Sequence, residues 1–392
     1  MNALAAGSVG HGAIPLALYV HLPWCVRKCP YCDFNSHQLK SARPDAMYID
    51  SLVRDFDAEL PLITGRRIDT VFFGGGTPSL FAPEDFARLL QELRLRIAFA
   101  DDAEITLEAN PGTIERGRFA GYRDAGVNRV SLGAQTFAPH ALTRLGRIHS
   151  AEDTYRAVAE LRAAGLENFN LDLMYALPEQ TLEEALFDVR SACALEPTHI
   201  SYYQLTLETG TVFHSRPPPL PDDDAAWRIQ SEGQALLAAA GYAQYEVSAY
   251  ARAGLRCRHN LNYWQFGDYV GIGAGAHGKL TEGTPDRILR TAKPKQPRDF
   301  QERLRQSAAA IGDRGHVAVR DLPFEFMLNA LRLNEGFSSQ CFEARTGLAA
   351  EAYEAPMRDS EAKGLVHATD AGWKPTELGG RFLNDLQEAF LP

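Results

Sequence analysis

Three thiols fall within the eight-residue stretch Cys25-Val-Arg-Lys-Cys29-Pro-Tyr-Cys32, directly after the apolar run Leu16–Pro23. A chain of 392 residues, 45% of them hydrophobic, has no packing need for such a cluster. Thiolates at this spacing can converge on one metal centre, and they favour zinc or iron–sulfur clusters. A structural zinc site takes four protein ligands, and Asp33, His37 or His21 stand close enough in the chain to complete one. A four-iron cluster held by only three cysteines leaves one iron open to another ligand. On the triplet alone both alternatives stand.

The other cysteines, Cys193, Cys257 and Cys341, are scattered, unlike the paired spacings of a small secreted disulfide scaffold. Clustered thiols in a long chain fit a reducing compartment. Met1 to Gly12 carry no basic segment and no apolar run reaches membrane-spanning length, so the expectation is a cytoplasmic protein whose membrane contact is at most transient. A net charge of −10 argues against a broad polyanion-binding face. From His316 onward seven Lys and Arg stand against twelve Asp and Glu, which disfavours nucleic acid there too.

The elements that must position the thiols follow from periodicity. Short β-rich runs at Leu16–Pro23, Ile68–Phe73, Glu104–Asn110, Arg129–Gln135, Asn168–Met174 and His199–Leu207 alternate with stretches of helical period. These include a helix expected over 114–125. Six βα units imply parallel strands with right-handed crossovers, covered by helices outside. The expected fold class is α/β, a partial (β/α)6 barrel two units short of the eight-fold form. After Glu208 the rhythm breaks. A strand is expected over Tyr242–Tyr250, then the stretch Arg256–Trp264 and the glycine-rich Gly271–Ala276. From about residue 310 three short helices and a hairpin predict a small winged-helix-like α+β domain. The chain thus divides into a lead at 1–15, a core at 16–250, a connecting segment at 251–309 and a C-terminal domain at 310–392.

Parallel α/β architectures collect their chemistry at the C-terminal strand ends. Here those ends carry the cysteine loop, the turn Gly74-Gly-Gly-Thr-Pro-Ser79, Glu108, Gln135 and Asp172. The glycine turn lets a ligand approach the main chain or simply reverses the chain before the helix at Pro83. It lacks the Lys-Ser/Thr of a Walker phosphate loop. Carboxylates accept hydrogen bonds from hydroxyls and Arg147 can grip a carboxylate. Singly, each of these residues equally suits a surface or capping role.

Several longer texts agree on one resemblance. The triplet after a first strand, with Tyr31 before its last cysteine, looks like the radical S-adenosylmethionine superfamily. Tyr19-Val-His-Leu-Pro-Trp-Cys25, Gly-Gly-Gly-Thr-Pro-Ser79, Glu108-Ala-Asn-Pro-Gly112 and Leu132-Gly-Ala-Gln-Thr-Phe137 resemble the branch holding oxygen-independent coproporphyrinogen III oxidase and the HemW-type haem chaperones. The resemblance implies a [4Fe–4S] cluster on Cys25, Cys29 and Cys32, with S-adenosylmethionine chelating the open iron. It implies Tyr19 and Tyr31 flanking the cluster, and Gly75, Gly76 and Thr77 against the methionine. Glu108, Gln135, Arg147 and Asp172 would line the rest, with His277 at the adenosine end, and an electron donor would serve the cluster.

Two departures divide the branch. The oxidase family carries a further Cys two residues past the triplet, where this chain has Phe34, and a longer segment before its equivalent of Tyr19. Both turn the expectation from oxidative decarboxylation toward a chaperone that passes haem to client haemoproteins. His259-Asn-Leu-Asn-Tyr-Trp264 resembles that family's His-Asn-x-x-Tyr-Trp motif. Histidine ligates haem iron, so the resemblance makes His259 the expected axial ligand, with Cys257 as rival. Tyr263 and Trp264 would pack on the macrocycle, and Arg256 or Arg258 would pair with propionates.

Overall fold

The computed structural model describes residues 14–40, 47–113, 118–307 and 312–392. Most of the expected lead at 1–15 and the start of the helix expected over 114–125 lie outside these residues.

The six expected strands are present as β1 (Leu16–Leu22), β2 (Arg67–Gly75), β3 (Ala98–Ala109), β4 (Arg129–Gln135), β5 (Phe169–Tyr175) and β6 (His199–Gln204), each parallel to the next. They read as near-continuous apolar runs because both faces are covered; of β1 only Tyr19 is not fully buried. Helices α1 (Met47–Glu59), α2 (Pro83–Arg94), α3 (Arg118–Ala125), α4 (Ala151–Ala163) and α5 (Leu182–Ala194) fill the crossovers. Their starts are written locally. Pro83 opens α2, and capping boxes of Ser150 with Asp153 and Thr181 with Glu184 open α4 and α5.

The sheet continues past both ends of this run. After α6 (Asp223–Ala239), the strand expected over Tyr242–Tyr250 is bent in two, β7 (Ala243–Glu246) and β8 (Ala249–Ala251), which pair antiparallel. The Glu246 carboxylate accepts hydrogen bonds from the Ser248 N–H (3.1 Å) and hydroxyl (3.0 Å), and this fixes the reversal. Beyond α7 (Arg258–Trp264), β9 (Asp268–Ile272) lies parallel to β1 on the side away from β2. Antiparallel strands β10 (His277–Thr281), β11 (Ile288–Ala292) and, after α8 (Pro297–Gln306), β12 (Asp313–His316) extend that edge. The result is one twelve-stranded open sheet in the order β12-β11-β10-β9-β1-β2-β3-β4-β5-β6-β8-β7.

Buried charge ties β9 in place. Asp268 is fully buried and meets Arg66 at 2.6 Å and Lys279 at 3.1 Å, while Thr281 donates to it twice. Lys293 likewise meets Asp55 and Glu59 of α1, each at 2.6 Å. The C-terminal helices α9 (Leu322–Ala330), α10 (Ser339–Thr346) and α11 (Glu351–Ala362) pack around Phe326, Phe342, Tyr353 and Met357, beside a three-stranded sheet of Phe337–Ser338, Gly372–Pro375 and Val366–Ala368.

Candidate functional site

A cavity of about 470 Å³ opens at the C-terminal ends of the parallel strands. Cys25, Cys29, Tyr31 and Cys32 enter it from the loop after β1. Gly75, Gly76 and Thr77 enter from β2 and its turn, Glu108 from β3, Gln135 from β4, Arg147 from the segment before α4, and Asp172 from β5. Tyr19 and His259 do not line it, nor does His277.

Each thiol has a polar neighbour. The Thr77 hydroxyl donates to Cys25 Sγ (3.5 Å), Arg147 Nη1 to Cys29 Sγ (3.8 Å), and the Ser36 hydroxyl lies 3.8 Å from Cys32 Sγ. All six cysteines are free thiols. Burial pushes the Cys25 and Cys32 thiols up, so without a cation both hold their protons. A metal centre would reverse this, since thiolates are its ligands. Of the three candidates for a fourth zinc ligand, Asp33 lines the cavity and both histidines are engaged. His21 spends its ring nitrogens on the Tyr19 hydroxyl (3.0 Å) and the Asn35 carbonyl (2.9 Å). His37 Nε2 faces Asn35 Oδ1 (3.2 Å) and the Lys295 carbonyl (3.3 Å). No three His, Cys, Asp or Glu side chains among the described residues converge as a single ion requires. A four-iron cluster instead spreads its three thiolates over three irons.

The glycine turn is tight for a reason besides ligand approach. A Cβ on Gly75, whose φ is +111°, would lie 2.4 Å from the His21 ring, and one on Gly76 would lie 2.5 Å from the Trp24 carbonyl oxygen. The turn is therefore pressed onto the end of β1, which aims the Gly75 N–H at Glu108 Oε2 (3.1 Å).

Four carboxyls line this space, the exposed Asp33 and Glu208 and the less exposed Glu108 and Asp172. Burial, reinforced by Asp172, holds Glu108 up at about 8. Burial also raises Asp172, against hydrogen bonds from Asn170 Nδ2 (2.8 Å) and the Ser131 hydroxyl (3.1 Å). Arg147 is half-buried, and Tyr31 and Cys29 push it up against the cost of desolvation. Its Nη2 donates to the Gly133 carbonyl at 2.7 Å, while its Nε finds no partner among the described residues. Gln135 holds a left-handed φ of 67°, a strain that persists only where surroundings dictate it. Its Oε1 accepts from the Tyr203 hydroxyl at 2.8 Å. An unpartnered buried guanidinium nitrogen, three thiols and the Glu108 and Asp172 carboxyls suit a cluster with a zwitterionic ligand. Sequence reasoning missed Ser36 and Tyr203. Tyr203 lies two residues from Ser201 on the inward face of β6, so period-two alternation was the available signal.

The His259 motif lies elsewhere. His259 is 1% exposed, stacks on Phe72, and presents Nδ1 to the Thr70 hydroxyl (2.8 Å) and Nε2 to the Tyr263 hydroxyl (3.1 Å). Burial pushes it down to about 3. Cys257 is buried against Glu104, and burial pushes its thiol up to about 12. Arg256 pairs with Glu335, Arg258 with Asp102, and Trp264 lies under the Arg332 guanidinium. Among the described residues no side chain of this motif is turned to the thiol cavity, while Tyr263 lines a neighbouring crevice.

A model of the radical SAM superfamily matches residues 19–191, and a model of the HemN C-terminal domain matches 317–382. The protein named heme chaperone HemW of Escherichia coli is 50% identical over 378 residues, covering 96% of this chain and 98% of that protein. Heme chaperone HemW of Haemophilus influenzae is 51% identical over 381 residues, again covering 96% and 98%. The solved structure of coproporphyrinogen III oxidase (HemN) from Escherichia coli, a radical SAM enzyme, superposes with a TM-score of 0.81 at 23% identity, over 96% of this chain and 90% of that one. That likeness is one of fold. The class is thereby defined as the radical SAM superfamily, which implies a [4Fe–4S] cluster and S-adenosylmethionine. Within it, the chain belongs to the heme chaperone HemW family.

Proposed function

We propose that this chain is a haem chaperone that carries a [4Fe–4S] cluster and S-adenosylmethionine, binds haem and hands it to client haemoproteins in the cytoplasm. The observation that carries the reading is end-to-end identity of about one half with proteins named heme chaperone, against a likeness of fold alone to the oxidase. Phe34, in the place of the oxidase's extra Cys, points the same way.

Cys25, Cys29 and Cys32 would hold three irons. When bound, the cluster supplies low-potential electron transfer, with its potential set by hydrogen bonds to sulfur and by burial. Thr77, Arg147 and Ser36 supply those contacts at the three sulfurs. Arg147 offers N–H donors to the carboxylate of S-adenosylmethionine, while Glu108, Asp172 and Gln135 offer acceptors to its amino and hydroxyl groups. An external electron donor completes the system.

The test reconstitutes the cluster anaerobically and supplies reductant, S-adenosylmethionine and either haem with an apo-haemoprotein or coproporphyrinogen III. Haem transfer without protoporphyrinogen formation is expected. Protoporphyrinogen IX at enzymatic rates would overturn the chaperone reading in favour of the oxidase.

A further inference from the structure

Beside the thiol cavity lies a second crevice of about 620 Å³, within the roughly 300–1,000 Å³ usual for small-molecule sites. We propose that this crevice is the haem site, with His277 as iron ligand and Lys295 as partner of a propionate. The proposal rests on the haem-chaperone reading and deepens it.

The crevice has aromatic walls. Tyr19, Tyr263 and Tyr269 line it, and Phe34, 60% exposed, stands on its rim. Flat aromatic surface suits a macrocycle. His277 opens β10 and is exposed to this space, and its ring has no hydrogen-bond partner among the described residues. Lys295 projects into the same space with its ammonium equally unengaged, and its charge acts on His277. Burial, with Lys295 and Arg290, pushes His277 down.

The frame around these groups is built. Asn35 Nδ2 donates to the carbonyls of Ala274 (2.8 Å) and Lys295 (2.9 Å), clamping the thiol loop to the far wall. Gly275, at φ +82°, leaves room for that clamp, since a Cβ there would lie 2.2 Å from Asn35 Nδ2. Arg290 Nη1 holds the Tyr269 hydroxyl at 2.8 Å. His259 takes a positioning role, because its Nε2 fixes the Tyr263 hydroxyl from behind the wall. Gly75 and Glu108 border both this crevice and the thiol cavity, so a bound haem would lie beside the cluster and its ligand.

The test titrates the anaerobically reconstituted full chain with haemin and follows the iron–imidazole stretch of the reduced complex by resonance Raman. In His277→Ala the stretch is lost, free imidazole restores it, and haemin binding weakens by at least about tenfold, the scale on which metal sites respond to changes around their ligands. Lys295→Glu weakens binding of haemin but not of its dimethyl ester. His259→Ala weakens binding yet keeps the stretch. An unchanged stretch in His277→Ala, or its loss in His259→Ala, overturns the crevice assignment and leaves the chaperone reading intact. Failure of the unmutated protein to take up haemin overturns that reading, and the assignment with it.

Discussion

Two regions of this molecule carry residue types that can ligate metals, and they differ in what those residues already hold. Around the cysteine loop, three thiols and the Glu108 and Asp172 carboxyls line an open cavity, and the buried Nε of Arg147 beside it has no partner among the described residues. Around His259, the imidazole, the Cys257 thiol and both arginines are committed to Thr70, Tyr263, Glu104, Glu335 and Asp102. A ligand entering the first region replaces water; one entering the second must first break bonds that pay for burial. Residue type nominates a ligand, but unspent bonding capacity selects it.

The contrast can be broken or sharpened by experiment. The largest expected effect is in the open region. Ala at Cys25, Cys29 or Cys32 should abolish cluster assembly, read as loss of bound iron and of the visible charge-transfer absorbance, while the urea midpoint of the apoprotein stays put. A large fall in that midpoint would show the thiols to be structural instead.

Asp268→Ala should do the opposite. It leaves Arg66 and Lys279 buried without their carboxylate, at a cost of about 3–5 kcal/mol in equilibrium unfolding. The variant's cluster content, measured under native conditions, should be unchanged. His259→Ala strands the hydroxyls of Thr70 and Tyr263 and should cost about 1–3 kcal/mol, again with the cluster retained. Loss of the cluster in His259→Ala would erase the distinction between the regions.

A subtler test uses pH. Glu108 moves from an ordinary 4.5 to about 8 through burial and the nearby Asp172, so the folded, ligand-free protein keeps a proton that the unfolded chain releases. The folded state binds more protons in that window, and stability contributed by this group therefore falls as pH rises from about 4.5 through about 8. Glu108→Gln should flatten the slope, seen in urea midpoints across that range. The smallest effect is expected from Thr77→Val, which removes the hydroxyl donated to Cys25 Sγ. Its cluster should still assemble but at a more negative reduction potential, because hydrogen bonds to sulfur stabilise the reduced, more negative form.

Much of the open region was legible in the chain because its information is local. Strand ends, glycine turns and cysteine spacing are fixed over a few residues, and the βα rhythm places them at one rim. The extended edge was not legible. Asp268-Tyr-Val-Gly-Ile272 is short and interrupted by glycine, and its partner β1 lies some 250 residues earlier. The bend between β7 and β8 depends on one carboxylate closing onto Ser248, which hydrophobic pattern does not encode. Tyr19 was placed with the cluster by resemblance; in the structure it lines the neighbouring crevice, together with Lys28 and Phe34 of the thiol loop.

By itself the sequence determined the parallel α/β core, the thiol triplet and the rim of polar strand ends, since periodicity and spacing are properties of adjacent residues. Only the tertiary structure decided which histidine is spent and which is free. His259 and His277 are both histidines near glycine and aromatic residues. One is closed in by Thr70, Phe72 and Tyr263 from distant segments, and the other is left facing a crevice. Bonding capacity is settled by neighbours in space, and the chain order does not list them.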